Sequence, residues 1–580
     1  MSDHRTEYRN IIVERDVYVT TKDNVRLACD IYRPDVSEKL PALLIRIPYN
    51  KTAAQAYTFS HPIWYARYGY IVVSQDTRGR YKSGGDFYPL KNDDQDGLDT
   101  IEWVSKLPYC NGQVGTYGFS YGGMDQLLAA TKQPKNLVTM VPAFTGSDLY
   151  TDWNYSNGAF SLAFNTWWTL FLGLDTSRKL SKDDEGRLAE TLNELPQKYW
   201  TLPLSELFDR QTLEKVAPYY FDWLNNPARN EYWKAHSVQE NYEKIQVPGL
   251  HIGGWYDAFV EGNIRNYEAL SKQQKVDGNI PRQRLIIGPW YHMPWSIFVG
   301  SVDFGSAAIN CLDDYLLQWF DYWLKGKTNE FITEDPVKIF IMGENRWRNE
   351  KEWPIARTVY TNYYLHSKGR ANSISGNGQL DPELPDEELN DIYVYDPNDP
   401  VPSKGGRSCC VPLIAPMGPE DQRPVEIRND VLVYSTKPLE KDIEVTGMVK
   451  VELWASSTAQ DTDFTAKLID VFPDGRAINI CDGLVRARFR NSFEQPEAIE
   501  PDRIYRYEIR LGSTSNLFFK GHSIRLEISS SNFPMYDRNP NNMLWPTQVK
   551  NDELELATQS IFHDERYPSH IILPIIPREQ

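Results

Sequence analysis

A serine flanked by glycines is the feature of this sequence that most suggests chemistry. It lies in the motif GFSYG at residues 118–122, after the short apolar run 114–117 and before a segment of helical character, 124–131. The motif alone is common, but a strand before it and a helix after it favour a nucleophile over a structural serine. Small neighbours are needed, because larger side chains at so sharp a turn would collide with the helix. The hydroxyl of Ser120 would then stand beside the amides of the helix N-terminus, which can stabilise a developing oxyanion.

A catalytic serine needs a base within hydrogen-bonding reach, and that base needs a carboxylate to orient it. Downstream of Ser120, only His251 and His292 fall in the part of the chain where strands and helices alternate. His251 lies inside an apolar strand, which favours a buried structural histidine. His292 comes just after the strand 285–287, at the end of a strand where parallel sheets hold their sites. We therefore predict His292 as the base.

The orienting carboxylate is expected in the loop after the preceding strand, because the chain order of such sites is serine, acid, histidine. Asp257 follows the strand 250–252 through the segment GGWY. It could instead cap the helix predicted over 258–270, and the two roles are compatible. Glu261 is the alternative carboxylate, although it already lies inside that helix. Asp257 is the prediction.

The oxyanion of an acyl-transfer reaction needs hydrogen-bond donors on both sides. The backbone amide of Tyr121 is one candidate, and the other is expected in the loop after the strand 43–47. Pro48 in that loop has no N–H group to offer. The phenol of Tyr49 is therefore predicted as the second donor, the alternative being an ordinary packed tyrosine.

The elements that must position these residues follow from the pattern of the whole chain. With 580 residues, two or three domains are expected. A hairpin over 11–19 and 25–32, then strands alternating with helices, predicts a mostly parallel α/β sheet that resumes after a helical, aromatic-rich insertion. Later segments such as 484–490 alternate and are separated by turn residues, which predicts a β-sandwich or jelly roll. The expected boundaries are 1–145 and 245–335 for the α/β domain, 146–244 for the insertion and 336–580 for the β domain.

Charge and composition narrow the class of protein. The net charge of −17 disfavours nucleic acid and anionic membranes as partners. No apolar run has the length of a membrane span, and the polar first ten residues lack the core of a signal peptide, so a cytoplasmic protein is expected. The six cysteines show no metal-binding spacing, and neither a metal nor a cofactor is expected. The adjacent Cys409 and Cys410 make a poor disulfide pair, so free thiols are expected.

These motifs together resemble the cocaine esterase and Xaa-Pro dipeptidyl-peptidase family of serine hydrolases over nearly the whole chain. The resemblance implies an α/β-hydrolase domain with an inserted helical cap, followed by an all-β jelly-roll domain. It also implies Ser120, Asp257 and His292 as a catalytic triad, with the Tyr49 hydroxyl and the Tyr121 amide as the oxyanion hole. The residues that carry it are 48–49, 75–79, 83–85, 118–122, 254–257, 288–292, 421–424, 461–467, 473–475 and 529–534.

The family resemblance extends to the substrate pocket, where two tryptophans of the cap line the acyl side. Trp153 and Trp168 stand at the matching places, although the neighbouring Trp167 leaves the register open. The loop 406–418 departs from the family, because Cys409-Cys410 stands where cocaine esterase has an apolar-aromatic pair. Activity on cocaine itself therefore does not follow from the resemblance.

The sequence thus predicts a carboxylic ester hydrolase that forms an acyl-enzyme on Ser120 from small or aromatic acyl esters. The alternative is an Xaa-Pro dipeptidyl-peptidase, or an α-amino acid ester hydrolase or acylase that acts on amides or β-lactam side chains. Such enzymes need a carboxylate for the substrate ammonium, and the cap offers Asp148, Asp152 and Asp175. A carbohydrate-binding role of the jelly roll is a third interpretation. The expected partner is a small-molecule ester, and the chain could also form a homodimer.

Overall fold

The first half of the chain forms a ten-stranded sheet in the computed structural model, which describes residues 7–53, 58–273 and 280–578. The seven middle strands pair in parallel, and antiparallel strands flank them at both edges. The predicted N-terminal hairpin and the mostly parallel α/β sheet are confirmed. In spatial order the strands are Ile11–Thr20, Arg26–Pro34, Ile71–Asp76, Leu40–Ile47, Cys110–Phe119, Leu137–Ala143, Gly249–Tyr256, Gln283–Tyr291, Val337–Ile341 and Arg346–Glu350.

Helices cover both faces of this sheet, which explains why its inner parallel strands are buried almost throughout. Along Leu40–Ile47, Leu43 and Ile45 belong to one hydrophobic core, whereas Ala42 and Leu44 belong to the other. The sequence also predicts a helix within about 54–68. It is present as Pro62–Arg67, while residues 54–57 lie outside the described residues. The helices of this domain are Pro62–Arg67, Asp93–Ser105, Tyr121–Thr131, Val260–Gln273, Leu312–Lys325 and Glu330–Thr333.

A helical cap is inserted between the strands Leu137–Ala143 and Gly249–Tyr256, as the sequence predicts. Two short strands, Tyr155–Ser156 and Ala159–Phe160, form a hairpin where no strand was expected. The sequence also predicts one long amphipathic segment over 227–242. This prediction is wrong, because the chain there breaks into the two short helices Glu231–Lys234 and Gln239–Lys244. The helical elements of the cap are Leu149–Asn154, Leu162–Leu180, Lys182–Asn193, Leu195–Lys198, Leu204–Glu206, Arg210–Val216, Tyr219–Asn225, Glu231–Lys234 and Gln239–Lys244.

The second half of the chain is an all-β domain, which confirms the predicted fold class. Its eleven strands pair almost entirely antiparallel, and Tyr505–Phe518 pairs with Ile443–Ser457 beside the main path. The first sheet continues past residue 335, since Val337–Ile341 and Arg346–Glu350 pair onto its edge. Along the main path the strands are Asp391–Tyr395, Ala557–Phe562, Ile443–Ser457, His570–Ile576, Val359–His366, Gly378–Asp381, Leu432–Ser435, Ser523–Ser529, Asp463–Val471 and Ala477–Arg486.

The strand expected over 484–490 is wrong in its second part. The strand Ala477–Arg486 ends there, and the chain continues as the short 3₁₀ helix Ala487–Phe489. Arg486 and Arg488 are both buried rather than solvent-facing. Arg486 forms ion pairs with Asp463 and Asp537, and Arg488 forms one with Asp461. Alternation of apolar and charged residues therefore arises here from a buried ion cluster, since buried charges require partners.

Direct hydrogen bonds tie the cap to the β domain. The Asp537 carboxylate accepts from the Phe160 amide at 2.7 Å, and the Asp537 amide donates to the Phe160 carbonyl at 3.0 Å. Ala163 N donates to Pro534 O at 3.0 Å, and Arg229 N to Phe493 O at 2.8 Å. The cap is therefore held from two sides, by the sheet below and by the β domain beside it. Among the described residues, every helix is too short or too polar to cross a membrane.

Candidate active site

The turn between the strand Cys110–Phe119 and the helix Tyr121–Thr131 is strained at Ser120, whose φ of 60° lies in the left-handed region. Residue 118, two positions before the serine, must be glycine because there is no room for a side chain there. A Cβ atom on Gly118 would lie 2.7 Å from the carbonyl oxygen of Gly122. The backbone of Ser120 is fixed on both sides, because its amide donates to Ala143 O and its carbonyl accepts from Thr145 Oγ1, each at 2.9 Å.

A continuous line of hydrogen bonds connects the serine, histidine and aspartate that the sequence singled out. His292 Nε2 lies 3.0 Å from Ser120 Oγ, and His292 Nδ1 lies 2.8 Å from Asp257 Oδ1. Asp257 follows the strand Gly249–Tyr256, and His292 follows Gln283–Tyr291, so all three residues stand at the carboxyl ends of parallel strands. All three side chains are buried. An aspartate at Nδ1 holds the imidazole proton there and leaves Nε2 to accept the serine proton.

Aromatic rings surround the imidazole of His292. The ring centroids of Phe119, Phe144 and Phe259 lie 5.6, 6.5 and 5.1 Å from it. These rings exclude water, and the low local polarity strengthens the interaction between His292 and Asp257. The Trp295 indole also donates to the His292 carbonyl at 2.9 Å, which anchors the loop that carries His292.

The two residues predicted to hold an oxyanion lie on opposite elements. Tyr121 begins the helix after Ser120, where first-turn amides have no partner within the helix. The side chain of Tyr121 is turned away, since its hydroxyl donates to Asp93 at 2.5 Å. The hydroxyl of Tyr49 accepts from Trp168 Nε1 at 3.0 Å, which places it against the cap. A hydroxyl that accepts such a bond becomes a stronger donor through polarisation.

The cap contributes an aromatic wall beside the site. Trp153 stacks on Phe259 with centroids 4.3 Å apart, and lies 5.4 Å from Trp168. Phe164 stacks on Trp168 at 5.8 Å and completes the group. Trp168 is therefore the member of the tryptophan pair in this wall, whereas Trp167 stacks on Phe171 at the outer side of the helix. Sequence reasoning missed Phe164 and Phe259, although the position of Phe259, two residues after Asp257, was a usable signal.

The loop between Gly406 and Gly418 closes the site from the β domain, and it corrects the expectation of free thiols at 409–410. The structure joins Cys409 and Cys410 by a disulfide. Neighbouring side chains usually point apart, but Cys410 has a left-handed backbone, with φ of 73°, that turns both sulfurs to one side. One ring nitrogen of His292 and the two sulfurs all lie within 4.8 Å of one another. Cys409 thus forms part of the lining around His292.

The two other candidates of the sequence stand apart from this line of hydrogen bonds. His251 is fully buried with Nε2 at 2.8 Å from Gln283 Oε1, and burial lowers its pKa to about 4. Glu261 accepts from the Ser513 amide at 2.5 Å and is paired with Arg407 at 3.5 Å, so it is engaged with the β domain. His251 is therefore a structural core residue, as its position in an apolar strand predicts.

Comparison with known proteins finds matches along nearly the whole chain. The family model of the X-Pro dipeptidyl-peptidase (S15 family) matches residues 23–294, and that of the X-Pro dipeptidyl-peptidase C-terminal non-catalytic domain matches residues 329–572. Cocaine esterase of Rhodococcus sp. (strain MB1 Bresler) is 38% identical over 98% of this chain and 99% of its own length. The structure of an α-amino acid ester hydrolase is 25% identical, with a TM-score of 0.82 over 98% of this chain and 97% of its own. An aminopeptidase from the marine sediment archaeon Thaumarchaeota archaeon shares the fold, at 24% identity and a TM-score of 0.82, over 100% and 99% of the two chains.

The buried His251 makes the stability of the protein depend on pH. Burial lowers its pKa to about 4 in the folded chain, whereas a solvated histidine has a pKa of about 6.5, so the unfolded chain takes up the proton first as the pH falls. Its contribution to stability is full above about pH 6.5 and is lost as the pH falls towards 4. Between pH 7.5 and 5, wild type should lose about 2 kcal/mol more unfolding free energy than His251→Gln. Urea unfolding at the two pH values measures this, and equal losses in both proteins would exclude the assignment.

Proposed function

Since the chain belongs to the serine hydrolase family of cocaine esterase and the X-Pro dipeptidyl-peptidases, and is a carboxylic ester hydrolase, we propose that Ser120 is its nucleophile. His292 acts as the general base and acid, and Asp257 orients it. The observation that carries the proposal is the unbroken line Asp257–His292–Ser120, with separations of 2.8 and 3.0 Å in a buried site.

Ester cleavage then proceeds in two halves. Ser120 Oγ attacks the carbonyl carbon while His292 Nε2 takes the hydroxyl proton, and the same nitrogen returns the proton to the departing alcohol. The acyl group remains on Ser120 as an ester. Water, deprotonated by His292, attacks this ester and releases the acid, after which the proton returns to Ser120. The Tyr121 amide and the Tyr49 phenol stabilise the oxyanion formed in each half.

The walls of the site favour small or aromatic acyl groups. Phe259 packs against His292 with ring centroids 5.1 Å apart. Trp153, Trp168 and Phe164 extend this wall away from His292 through contacts with one another and with Phe259. Aromatic rings prefer offset or edge-to-face packing with one another, and such pairs add roughly 0.5–1.5 kcal/mol to simple burial. A benzoyl-type acyl group would therefore find partners on this wall.

The charges of the cap favour neutral acyl groups over α-amino acids. A substrate ammonium needs an uncompensated carboxylate, yet the three candidates in the cap are already neutralised. Asp148 is paired with Arg229 at 2.8 Å and Asp152 with Arg265 at 2.9 Å. Asp175 accepts from a backbone amide at 2.9 Å and lies near two cationic side chains. The likeness to an α-amino acid ester hydrolase keeps peptidase or acylase action as the second candidate, which the panel below separates from ester hydrolysis.

The proposal predicts a large loss of activity when the nucleophile is removed. Ser120→Ala should lower kcat on a p-nitrophenyl ester by about 10⁴-fold or more, and His292→Ala nearly as much, with the double variant little worse, because the residues act as a unit. Ser105→Ala, at the surface end of a helix, is the matched control and should keep the full rate. The wild-type enzyme is also measured on a panel of short-chain esters, aromatic esters and Xaa-Pro anilides. A higher kcat/KM on the anilides than on the esters would favour the peptidase. A tenth of the wild-type rate in Ser120→Ala would refute the nucleophile.

The phenol of Tyr49 should act in the transition state rather than in substrate binding. Tyr49→Phe keeps the ring but removes the hydroxyl, so kcat should fall by about 10²–10³ while KM changes little. Tyr360→Phe, at an exposed tyrosine of the β domain, is the matched control. If Tyr49→Phe folds correctly and keeps kcat within threefold of wild type, the second donor lies elsewhere.

A further inference from the structure

We propose that Cys409, Cys410 and His292 form a binding site for a thiophilic divalent cation such as Zn²⁺ once the two cysteines are reduced. A cation bound at this site would inhibit the enzyme, because it would occupy His292 Nε2, the nitrogen that must accept the proton of Ser120. The inhibition rests on the function proposed above, whereas the binding itself rests on the geometry alone.

The donor atoms are already gathered. One imidazole nitrogen and two sulfurs lie within 4.8 Å of one another, and each belongs to the ligand types that zinc prefers. Zinc bonds of about 2.0–2.3 Å place the donors of a tetrahedral site roughly 3.3–3.8 Å apart. Once the disulfide is reduced, the two sulfurs must move apart to this separation, and side-chain rotations on the order of 1 Å each would place the three donor atoms around one cation. Ser120 Oγ, 3.0 Å from His292 Nε2, or a water molecule would supply the fourth ligand.

Asp257 prepares the imidazole for this role as well. Metal-bound histidines commonly donate the proton of their second nitrogen to a carboxylate, which fixes the ring and raises its basicity. His292 Nδ1 lies 2.8 Å from Asp257 Oδ1, so the arrangement exists before any cation arrives. Nε2 is then the nitrogen whose lone pair faces the site.

The surroundings suit a soft cation with two thiolates. Cys409 and His292 are 1% and 2% exposed, and aromatic rings line the same space, so little water competes for the ligands. Two thiolates compensate the charge of the cation, which removes the cost of burying it alone. The carbonyl group of a substrate must approach Ser120, so a cation bound beside Ser120 would stand in its way.

The disulfide determines whether the site exists. In the oxidised pair each sulfur is bonded to the other, and no thiolate is present. A dithiol reductant supplies two electrons and two protons, giving Cys409 and Cys410 as thiols and the reductant as its own disulfide. The cation then replaces the two thiol protons, which are released to solvent. The oxidised enzyme should therefore resist the metal, and the reduced enzyme should be sensitive to it.

The first test measures ester hydrolysis with added Zn²⁺ after the reductant has been removed under nitrogen. Each protein is compared with its own rate in chelator. The rate of the reduced wild type should fall at least 100-fold at a Zn²⁺ concentration that leaves the rate of the oxidised protein unchanged. Adding chelator should restore the rate of the reduced protein. Cys311→Ala, which removes a half-buried cysteine outside the cluster, is the matched control and should stay as sensitive as wild type. Equal sensitivity of the oxidised and reduced proteins would overturn the proposal.

The second test reads binding without activity. Reduced Ser120→Ala titrated with Cd²⁺ should show thiolate-to-metal absorption that saturates at one ion per chain. Cys409→Ala and Cys410→Ala, each checked for folding by thermal melting, should bind at least tenfold more weakly. Unchanged binding in both cysteine variants would refute the site, even if one variant folded poorly. If the metal-free wild type hydrolysed no ester while Cd²⁺ still bound the thiolates, the proposed function would fail and the site would stand.

Discussion

The left-handed backbone of Ser120 is the constraint on which the rest of the site depends. A non-glycine residue in this conformation costs on the order of 1–3 kcal/mol, so the surrounding structure must hold it. The parallel sheet does so through Ala143 and Thr145, and glycine at 118 lets the helix start immediately. This turn places the Ser120 hydroxyl at the carboxyl ends of the parallel strands, where two further strands end just before Asp257 and His292.

The lining of the pocket depends on a different interaction, the buried charges of the β domain. Arg486 bridges Asp463 and Asp537, and Asp537 in turn holds the cap hairpin at Phe160. Removing one member would leave an uncompensated buried charge, which costs about 3–5 kcal/mol. The cluster thus links the position of the cap to the interior of the β domain. The aromatic wall of the cap is thereby held in place by the same ion pairs.

Much of this arrangement is readable from the sequence because strand ends in an α/β sheet are marked by local patterns. The turn at Ser120, and the placement of Asp257 and His292 after successive strands, needed only apolar runs and glycine motifs. Features that depend on distant partners were not readable. Nothing near Arg486 in the sequence indicates that it is buried, since its carboxylate partners Asp463 and Asp537 are remote in sequence. The backbone of Cys410 gave no local sign that it would join the two sulfurs.

The lining of the site is assembled from chain segments that leave the ribosome far apart in time. Ser120 and the cap are made early, whereas the loop carrying Cys409 comes after the whole first sheet, and the residues that clamp the cap come later still. Domains generally fold in the order of their synthesis. A nascent chain can therefore complete its α/β sheet while the pocket is still open on one side. Such a chain would already hold Ser120, Asp257 and His292 on completed strands, but the aromatic wall beside them would gain its last neighbours only when the last strands dock.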